Sequence, residues 1–348
     1  MSVALTHGWG EVPMLLEVEA LRVDYDTHRS PQRAVEDVSL SLGRGETLGI
    51  IGESGCGKST LALAILGLLP EAGRQTGGKV LLNGKPWLDQ PANAIRRMRW
   101  TKIAYVPQSA MNALDPVRTL FGQFAVTARA HGASGDLRQR AEKLFHQVGL
   151  EPEWLDRYPH QFSGGMRQRA VIALALLFDP PFLLADEPTT GLDVLVQREV
   201  LDVLRQVQRE RGLAMMLISH DLGVVSELCN RICVMYAGRF VEVGETADTL
   251  EHPLHPYTMG LRMAFPDMAE PDRAPISIPG TPPQPGRSKE ECSFAARCPF
   301  VVDVCRSARP HLKRVDDRAA ACHFASDAAR LREESSDPAR WIPGESST

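Results

Sequence analysis

No stretch of this 348-residue sequence is long and apolar enough to cross a bilayer. The most apolar run, Ala170 to Phe178, ends at Asp179, Pro180 and Pro181, well short of the roughly 20 residues a membrane helix needs. The start, Met1 to Gly10, has no basic opening and no long apolar core, so it does not read as a secretion signal. A basic excess is missing as well. The 39 Lys and Arg face 43 Asp and Glu, a net charge of -4, which argues against a general nucleic-acid binder. Cysteines are few and odd in number, seven, and without an export signal they read as reduced thiols or metal ligands rather than a disulfide framework. There is no internal repeat. What is left is a globular composition, 43% apolar and 24% charged, in a chain long enough for one large domain and an appended module. Any membrane role must pass through partner proteins.

The first segments alternate apolar and polar residues as half-buried strands do, over Leu15 to Tyr25 and Ala34 to Leu42. Thr47 to Ile51 is a compact apolar run that ends in a glycine-rich loop, and Thr60 to Leu69 then reads as a helix stopped by Pro70. From about Trp100 to Leu176 the pattern is mainly helical, with polar breaks at His131 to Asp136 and Tyr158 to Gly165. A buried strand follows at Phe182 to Ala185, an amphipathic helix near Gln197 to Gln208 and another strand at Met215 to Ser219. Strands alternating with helices predict a mainly parallel α/β sheet with covered faces. Past Leu261 the composition changes: Pro266 to Pro285 is proline-rich and reads as a linker or extended wrap, and Glu333 to Thr348 reads as a polar, frayed tail.

The chemistry concentrates in two places. Gly52-Glu53-Ser54-Gly55-Cys56-Gly57-Lys58-Ser59-Thr60 fits the Walker A pattern, in which glycines let backbone N–H groups curl around a phosphate and the next helix presents its positive N-terminus. Lys58 is placed to reach the β- and γ-phosphates and Ser59 to bind Mg²⁺. Cys56 fills a position that needs a small residue, and its thiol is expected to make the loop sensitive to oxidation. At the C-terminal end of the strand Phe182 to Ala185, Asp186 is the expected metal ligand and Glu187 the expected group that polarises the attacking water. A phosphate loop with such a strand means an NTPase.

Phe162-Ser163-Gly164-Gly165-Met166-Arg167-Gln168, shortly before that strand, resembles the LSGGQ signature of ABC ATPases, with Phe162 and Met166 replacing the usual leucine and glutamine. The resemblance runs from about Leu15 to Glu245 and implies roles for residues in the same order. Tyr25 becomes the aromatic stacked on adenine, Gln108 the Q-loop glutamine and a Mg²⁺ ligand, Gly191-Leu192-Asp193 the D-loop, and His220 the switch histidine. It also implies that Ser163, Gly164 and Gly165, opening a helix, touch the γ-phosphate of ATP held by an opposite subunit. One copy of each motif thus implies a dimer with two ATP molecules sandwiched head to tail. The fold implied is a P-loop NTPase of the ABC type, a RecA-like core with antiparallel β and α-helical subdomains.

Three later stretches resemble the oligopeptide, dipeptide and nickel importer subfamily: His255-Pro256-Tyr257-Thr258, Ile278-Pro279-Gly280-Thr281-Pro282-Pro283, and Cys292 to Pro299 with Cys305, Pro310 and Cys322. The expected organisation is a tail over 1–13, an ATPase domain over 14–260 with its helical subdomain at about 100–176, a cysteine-containing extension over 261–332 and a flexible tail over 333–348. The resemblance implies a second ATPase subunit, a paralogue more than a second copy, beneath two membrane permease subunits at the cytoplasmic face of the inner membrane, fed by an extracytoplasmic binding protein. It makes Ser109 to Pro116 part of the groove for a permease helix. Cys292, Cys298, Cys305 and Cys322 can hold a [4Fe–4S] cluster, a tetrahedral Zn²⁺ or nothing, and spacing does not choose among them, with His323 as a substitute ligand. Cys229 and Cys233 are expected to pack on one face of a helix, and His131, His146, His252 and His311 to be solvated. A soluble ABC ATPase acting on DNA or ribosomes, not coupled to transport, is an alternative of another class, although such proteins usually carry a coiled-coil insertion between the Walker motifs or a second ATPase domain and this sequence shows neither. A redox-regulated interaction module, with the ATPase as its switch, is a third reading; within transport the alternatives are import of nickel or oligosaccharides and an export ATPase, the last disfavoured by the His255-Pro256-Tyr257-Thr258 and cysteine segments.

Overall fold

The computed structural model describes residues 14–27, 30–108, 113–133, 135–265, 276–283 and 290–342. The tail over 1–13, most of the proline-rich stretch and part of the groove segment Ser109 to Pro116 lie outside the described residues.

Two sheets organise the chain. β1 (Met14–Tyr25), β2 (Gln32–Gly43), β4 (Gly73–Leu82) and β5 (Lys85–Pro86) form an antiparallel sheet of order β2-β1-β4-β5. The larger sheet, which also takes in β10 (Arg239–Glu245), β11 (Lys313–Val315) and β12 (Arg318–Ala320), has order β11-β12-β10-β9-β3-β8-β7-β6. Its centre is parallel: β3 (Thr47–Ile51) lies between β8 (Ala214–Ser219) and β9 (Arg231–Tyr236), and β7 (Phe182–Asp186) lies between β8 and β6 (Ile103–Val106). β3, β7, β8 and β9 are buried along their whole length. That explains why they read as continuous apolar runs rather than alternating ones. One core fills the space between the two sheets around the helix Lys58–Leu66, and a second lies on the side of the helices Leu120–Ala130, Leu137–Gln147, Gly164–Ala175 and Val194–Arg211. No helix among the described residues is long and apolar enough to cross a membrane.

Four expectations are corrected. The stretch read as helical from Trp100 begins with a strand, β6, whose four residues are too short for periodicity to declare. Cys229 and Cys233 do not share a helix: Cys229 caps the helix Leu222–Leu228 and Cys233 sits in β9, though both are buried as a packing role requires. His131 is half-buried, its ring 5.1 Å from that of Phe178 and its Nδ1 3.1 Å from the Thr127 carbonyl. The described part of the segment read as frayed, residues 333–342, folds back on the core instead, and the rest of it lies outside the described residues. The helix Ala328–Ser335 leads to a turn at Pro338–Trp341, where the Trp341 indole is 3% exposed, donates to the Ser335 carbonyl at 2.9 Å and packs on Gly260.

Nor is the extension a detached module. β12 (Arg318–Ala320) pairs antiparallel with β10 (Arg239–Glu245), and β11 (Lys313–Val315) pairs with β12, so the extension adds two strands to the edge of the catalytic sheet.

Candidate active site

β3 delivers the glycine loop at its C-terminal end, and the helix Lys58–Leu66 starts from it. Two of its glycines are sterically required. At Gly52 a Cβ would lie 2.2 Å from the Met235 carbonyl oxygen, and at Gly57, with φ of 111°, 2.6 Å from that of Ala34. Lys58 is 5% exposed, and its ammonium donates to the carbonyls of Gly52 at 2.7 Å and Glu53 at 3.0 Å, so the loop folds around its own cation. Cys56 is buried, and burial pushes its thiol pKa up. A suppressed thiolate makes it a packing residue and weakens the expectation that it is easily oxidised.

β7 brings Asp186 to the same end of the sheet. Its Oδ1 lies 3.4 Å from the Ser59 hydroxyl and its Oδ2 accepts from the Tyr105 hydroxyl at 3.4 Å. Burial raises the Asp186 pKa, the Ser59 bond opposes this, and the Glu187 charge adds to it. Glu187 follows with φ of 45°, in the left-handed region that costs a non-glycine residue about 1–2 kcal/mol. Its N–H donates to the Ile218 carbonyl at 2.8 Å, which holds the residue there. Three donors converge on its carboxylate: Gln108 at 2.7 Å, Thr190 at 2.9 Å and the His220 Nδ1 at 3.1 Å. Burial would raise its pKa, but the His220 and Thr190 hydrogen bonds and nearby positive charge outweigh it and hold the carboxyl below its usual value. Glu187 is thus an ionised acceptor at neutral pH.

Lys58, Ser59, Asp186, Glu187, Gln108 and His220 therefore meet beyond the carboxyl ends of parallel strands. Tyr25 lies at the other side of the loop, its hydroxyl 3.4 Å from that of Thr60, and lines one cavity with Ser54, Gly55, Lys58 and Gln108. Ser163, Gly164, Gly165 and Asp193 do not line that cavity. Ser163 caps the helix Gly164–Ala175 by accepting the Met166 N–H at 3.2 Å, and Asp193 caps Val194–Arg211 by accepting the Val196 N–H at 3.0 Å. Both caps are exposed, and Val194 and Leu195, which follow Asp193, are each 80% exposed.

Tyr105 and Thr190 escaped the sequence reading. Tyr105 sits on the unrecognised β6, opposite Leu184 of β7. Thr190 had a local signal, a hydroxyl three residues after an acid, where its N–H donates to the Glu187 carbonyl at 3.2 Å. The hydroxyl and carboxylate oxygens of Ser59 and Asp186 suit a hard cation such as Mg²⁺.

The four extension cysteines line one pocket with His255, Phe294, Phe300 and Leu331, and the Cys292 N–H donates to the Cys305 carbonyl at 2.8 Å. Burial pushes the thiols of Cys292 and Cys298 up, and that of Cys322 up to about 11. Among the described residues no group of three or more His, Cys, Asp or Glu is arranged to hold a metal ion. His323 lines the same pocket, and its Nε2 lies 3.0 Å from the Ala308 carbonyl.

Comparison with known proteins agrees with this geometry. Residues 35–190 match the ABC transporter family, and residues 241–305 match the C-terminal region of oligopeptide/dipeptide transporters. The chain is 41% identical over 325 residues to a probable peptide ABC transporter ATP-binding protein of Sinorhizobium fredii, covering 91% of this chain and 97% of that protein. It is 40% identical over 313 residues to the oligopeptide transport ATP-binding protein OppD of Escherichia coli, covering 88% and 92%. Its fold matches the dimeric post-hydrolysis structure of the ATP-binding cassette MJ0796 bound to ADP and Pi, with a TM-score of 0.60 and 27% identity over 66% of this chain and 98% of that one. The chain belongs to the ATP-binding subunits of the ABC transporter family, in the group that carries the oligopeptide/dipeptide transporter C-terminal region.

Proposed function

We propose that this chain powers uptake of di- and oligopeptides, working against a second ATPase subunit beneath two permease subunits at the cytoplasmic face of the inner membrane. Peptide cargo is suggested by the names of relatives that match nearly the whole chain. The observation that carries the mechanism is the split of the motifs. The phosphate loop, Asp186 and Glu187 meet in one place, while the Ser163 and Asp193 turns stand exposed elsewhere, the second followed by the exposed Val194 and Leu195. Exposed apolar side chains after a capped helix start suit a subunit interface, and the helix starts suit a phosphate brought by the partner.

In this reading Lys58 and the loop amides bind the phosphates of ATP, Tyr25 packs on its base, and the partner's signature turn closes over the γ-phosphate. Ser59, Asp186 and the side-chain amide oxygen of Gln108 would hold Mg²⁺, which would supply neutralisation of the phosphate charge. Glu187 accepts the proton side of the attacking water. His220, bonded to Glu187, keeps that carboxylate ionised and oriented. A paralogous partner is preferred to a second copy. Uptake of labelled di- and oligopeptides by cells in which Lys58→Ala replaces the native chain tests the proposal. Lost uptake restored by the native gene is expected, and unchanged uptake redirects the assignment to nickel or sugars.

A finer reading concerns the cysteines. Four thiols around one pocket suit a [4Fe–4S] cluster, which would require them to deprotonate and draw together. Iron and labile sulfide after anaerobic purification are expected. Colourless protein without either refutes the cluster, and bound zinc would select the tetrahedral alternative.

A further inference from the structure

Arg297 precedes Cys298 in the extension and is 5% exposed, yet its guanidinium reaches the phosphate loop. It forms a two-pronged pair with Glu53, at 2.6 Å from Nη1 to Oε2 and 2.9 Å from Nη2 to Oε1. The same guanidinium donates from Nε to the Pro279 carbonyl at 2.7 Å and packs toward the Tyr236 ring at the end of β9. Tyr257 approaches from the other side, its hydroxyl accepting the Glu53 N–H at 2.8 Å. Every polar group of Glu53 is thereby engaged: the amide by Tyr257, the carboxylate by Arg297 and the carbonyl by Lys58.

We propose that Arg297 is a positioning residue for ATP binding, holding Glu53, and through it the Lys58 carbonyl cradle, in the geometry the phosphates require. The extension thus reaches across the sheet to set the ATP site. The inference rests on the phosphate-loop reading given above. Bidentate Arg–carboxylate pairs are directional as well as strong, so they fix a loop more tightly than a lysine would. Simple anchoring of the extension does not need this pair. The extension is held independently by β12 on β10 and by Trp341 on Gly260.

The test uses the full chain in its assembled transporter, with ATP KM, kcat and melting temperature measured together. Arg297→Ala and Glu53→Ala are each expected to raise the ATP KM about tenfold, a typical coupling between contacting residues. The double variant is expected to be no worse than the poorer single. Glu53→Gln keeps the size and should raise KM several-fold even if Arg297→Ala fails to assemble, while Arg297→Lys should restore only part of the loss. Wild-type KM in Glu53→Gln and Glu53→Ala, a double variant whose loss is the product of the two singles, or a lowered melting temperature with unchanged KM each overturns the inference. Lys58→Ala separates the two levels. Wild-type ATP affinity there refutes the loop reading and this inference with it, whereas weak binding there with normal Glu53 variants refutes only the role of Arg297.

Discussion

Gly165 gives the sharpest prediction, because its neighbour can be named. The helix Gly164–Ala175 crosses Val194–Arg211 so closely that a Cβ on Gly165 would lie 2.1 Å from Cγ1 of Val196. Gly165→Ala gains about 1 kcal/mol of helix propensity. It also forces overlap, and overpacking costs typically about 1–3 kcal/mol, so a net destabilisation of up to about 2 kcal/mol is expected. Val196→Ala alone loses two methyl groups of a half-buried residue, about 1 kcal/mol. It also removes both Cγ atoms and leaves the Val196 Cβ at 3.5 Å, an ordinary contact. The pair should therefore be coupled: with the overlap removed, Gly165→Ala in the Val196→Ala background should keep its helix-propensity gain and be up to about 1 kcal/mol more stable than Val196→Ala alone. Urea unfolding of the full chain measures all four corners of this cycle, and ATPase activity of the assembled transporter follows in parallel, because Ser163 caps the same helix. A double variant that simply adds the two single-variant effects would refute the packing argument.

Glu187→Gln keeps the side-chain shape but removes the ionised acceptor on which Gln108, Thr190 and His220 converge. Turnover should fall at least about a hundredfold while ATP binding stays within a few-fold, as phosphate release and nucleotide titration can show. Glu242 is fully buried, and burial pushes its carboxyl from 4.5 up to about 7 although the N–H groups of Leu254 and His255 bond to it. The folded pKa is the higher one, so this stability is complete below about pH 4.5 and is lost as pH rises through 7, a fall of about 3 kcal/mol. Glu242→Gln should flatten that slope in unfolding measured from pH 5 to 8, and an unchanged slope counts against the assignment. Trp341→Ala should cost about 3–5 kcal/mol by emptying the site against Gly260, whereas a loose tail would lose nothing in the melting temperature.

What the sequence made legible follows from how each feature is encoded. The phosphate loop, the Asp186 strand and the signature turn are contiguous strings whose chemistry is local, and each lies in the structure where the string put it. Fully buried strands such as β3 and β8 could be read because a strand between two covered faces is built almost wholly of apolar residues. β6 could not, since four residues inside a helical stretch carry too little pattern, and Tyr105 was lost with it. The backbone of Cys233 was misassigned because a spacing of four suits a helix, while the run Arg231–Tyr236 is a buried strand in which that spacing has no meaning. The docking of the extension was hidden for a different reason. The Glu53–Arg297 pair joins residues 244 positions apart, and neither neighbourhood announces the other. The same holds for Trp341 against Gly260.

The two sides of the ATP chemistry are stabilised differently, and that difference bears on how the subunit works. On the phosphate-loop side the charged groups already have partners within the chain: Lys58 has the loop carbonyls, Asp186 has Ser59 and Tyr105, and Glu187 has its three donors. Ligand binding there must exchange existing hydrogen bonds, so its strength depends on how rigidly the loop is preset. On the signature side the polar turns are capped only by their own helix starts, and the Gly165–Val196 contact locks those two helices together. Rigid and exposed, that face gains contacts only when another surface meets it. On the proposed function, a subunit built this way would hold nucleotide by rearrangement on one face and by docking on the other, so closure of the pair would couple the two faces without requiring a change in the fold of either. Arg297 would then act on the first face alone, altering ATP affinity while leaving the docking surface as it is.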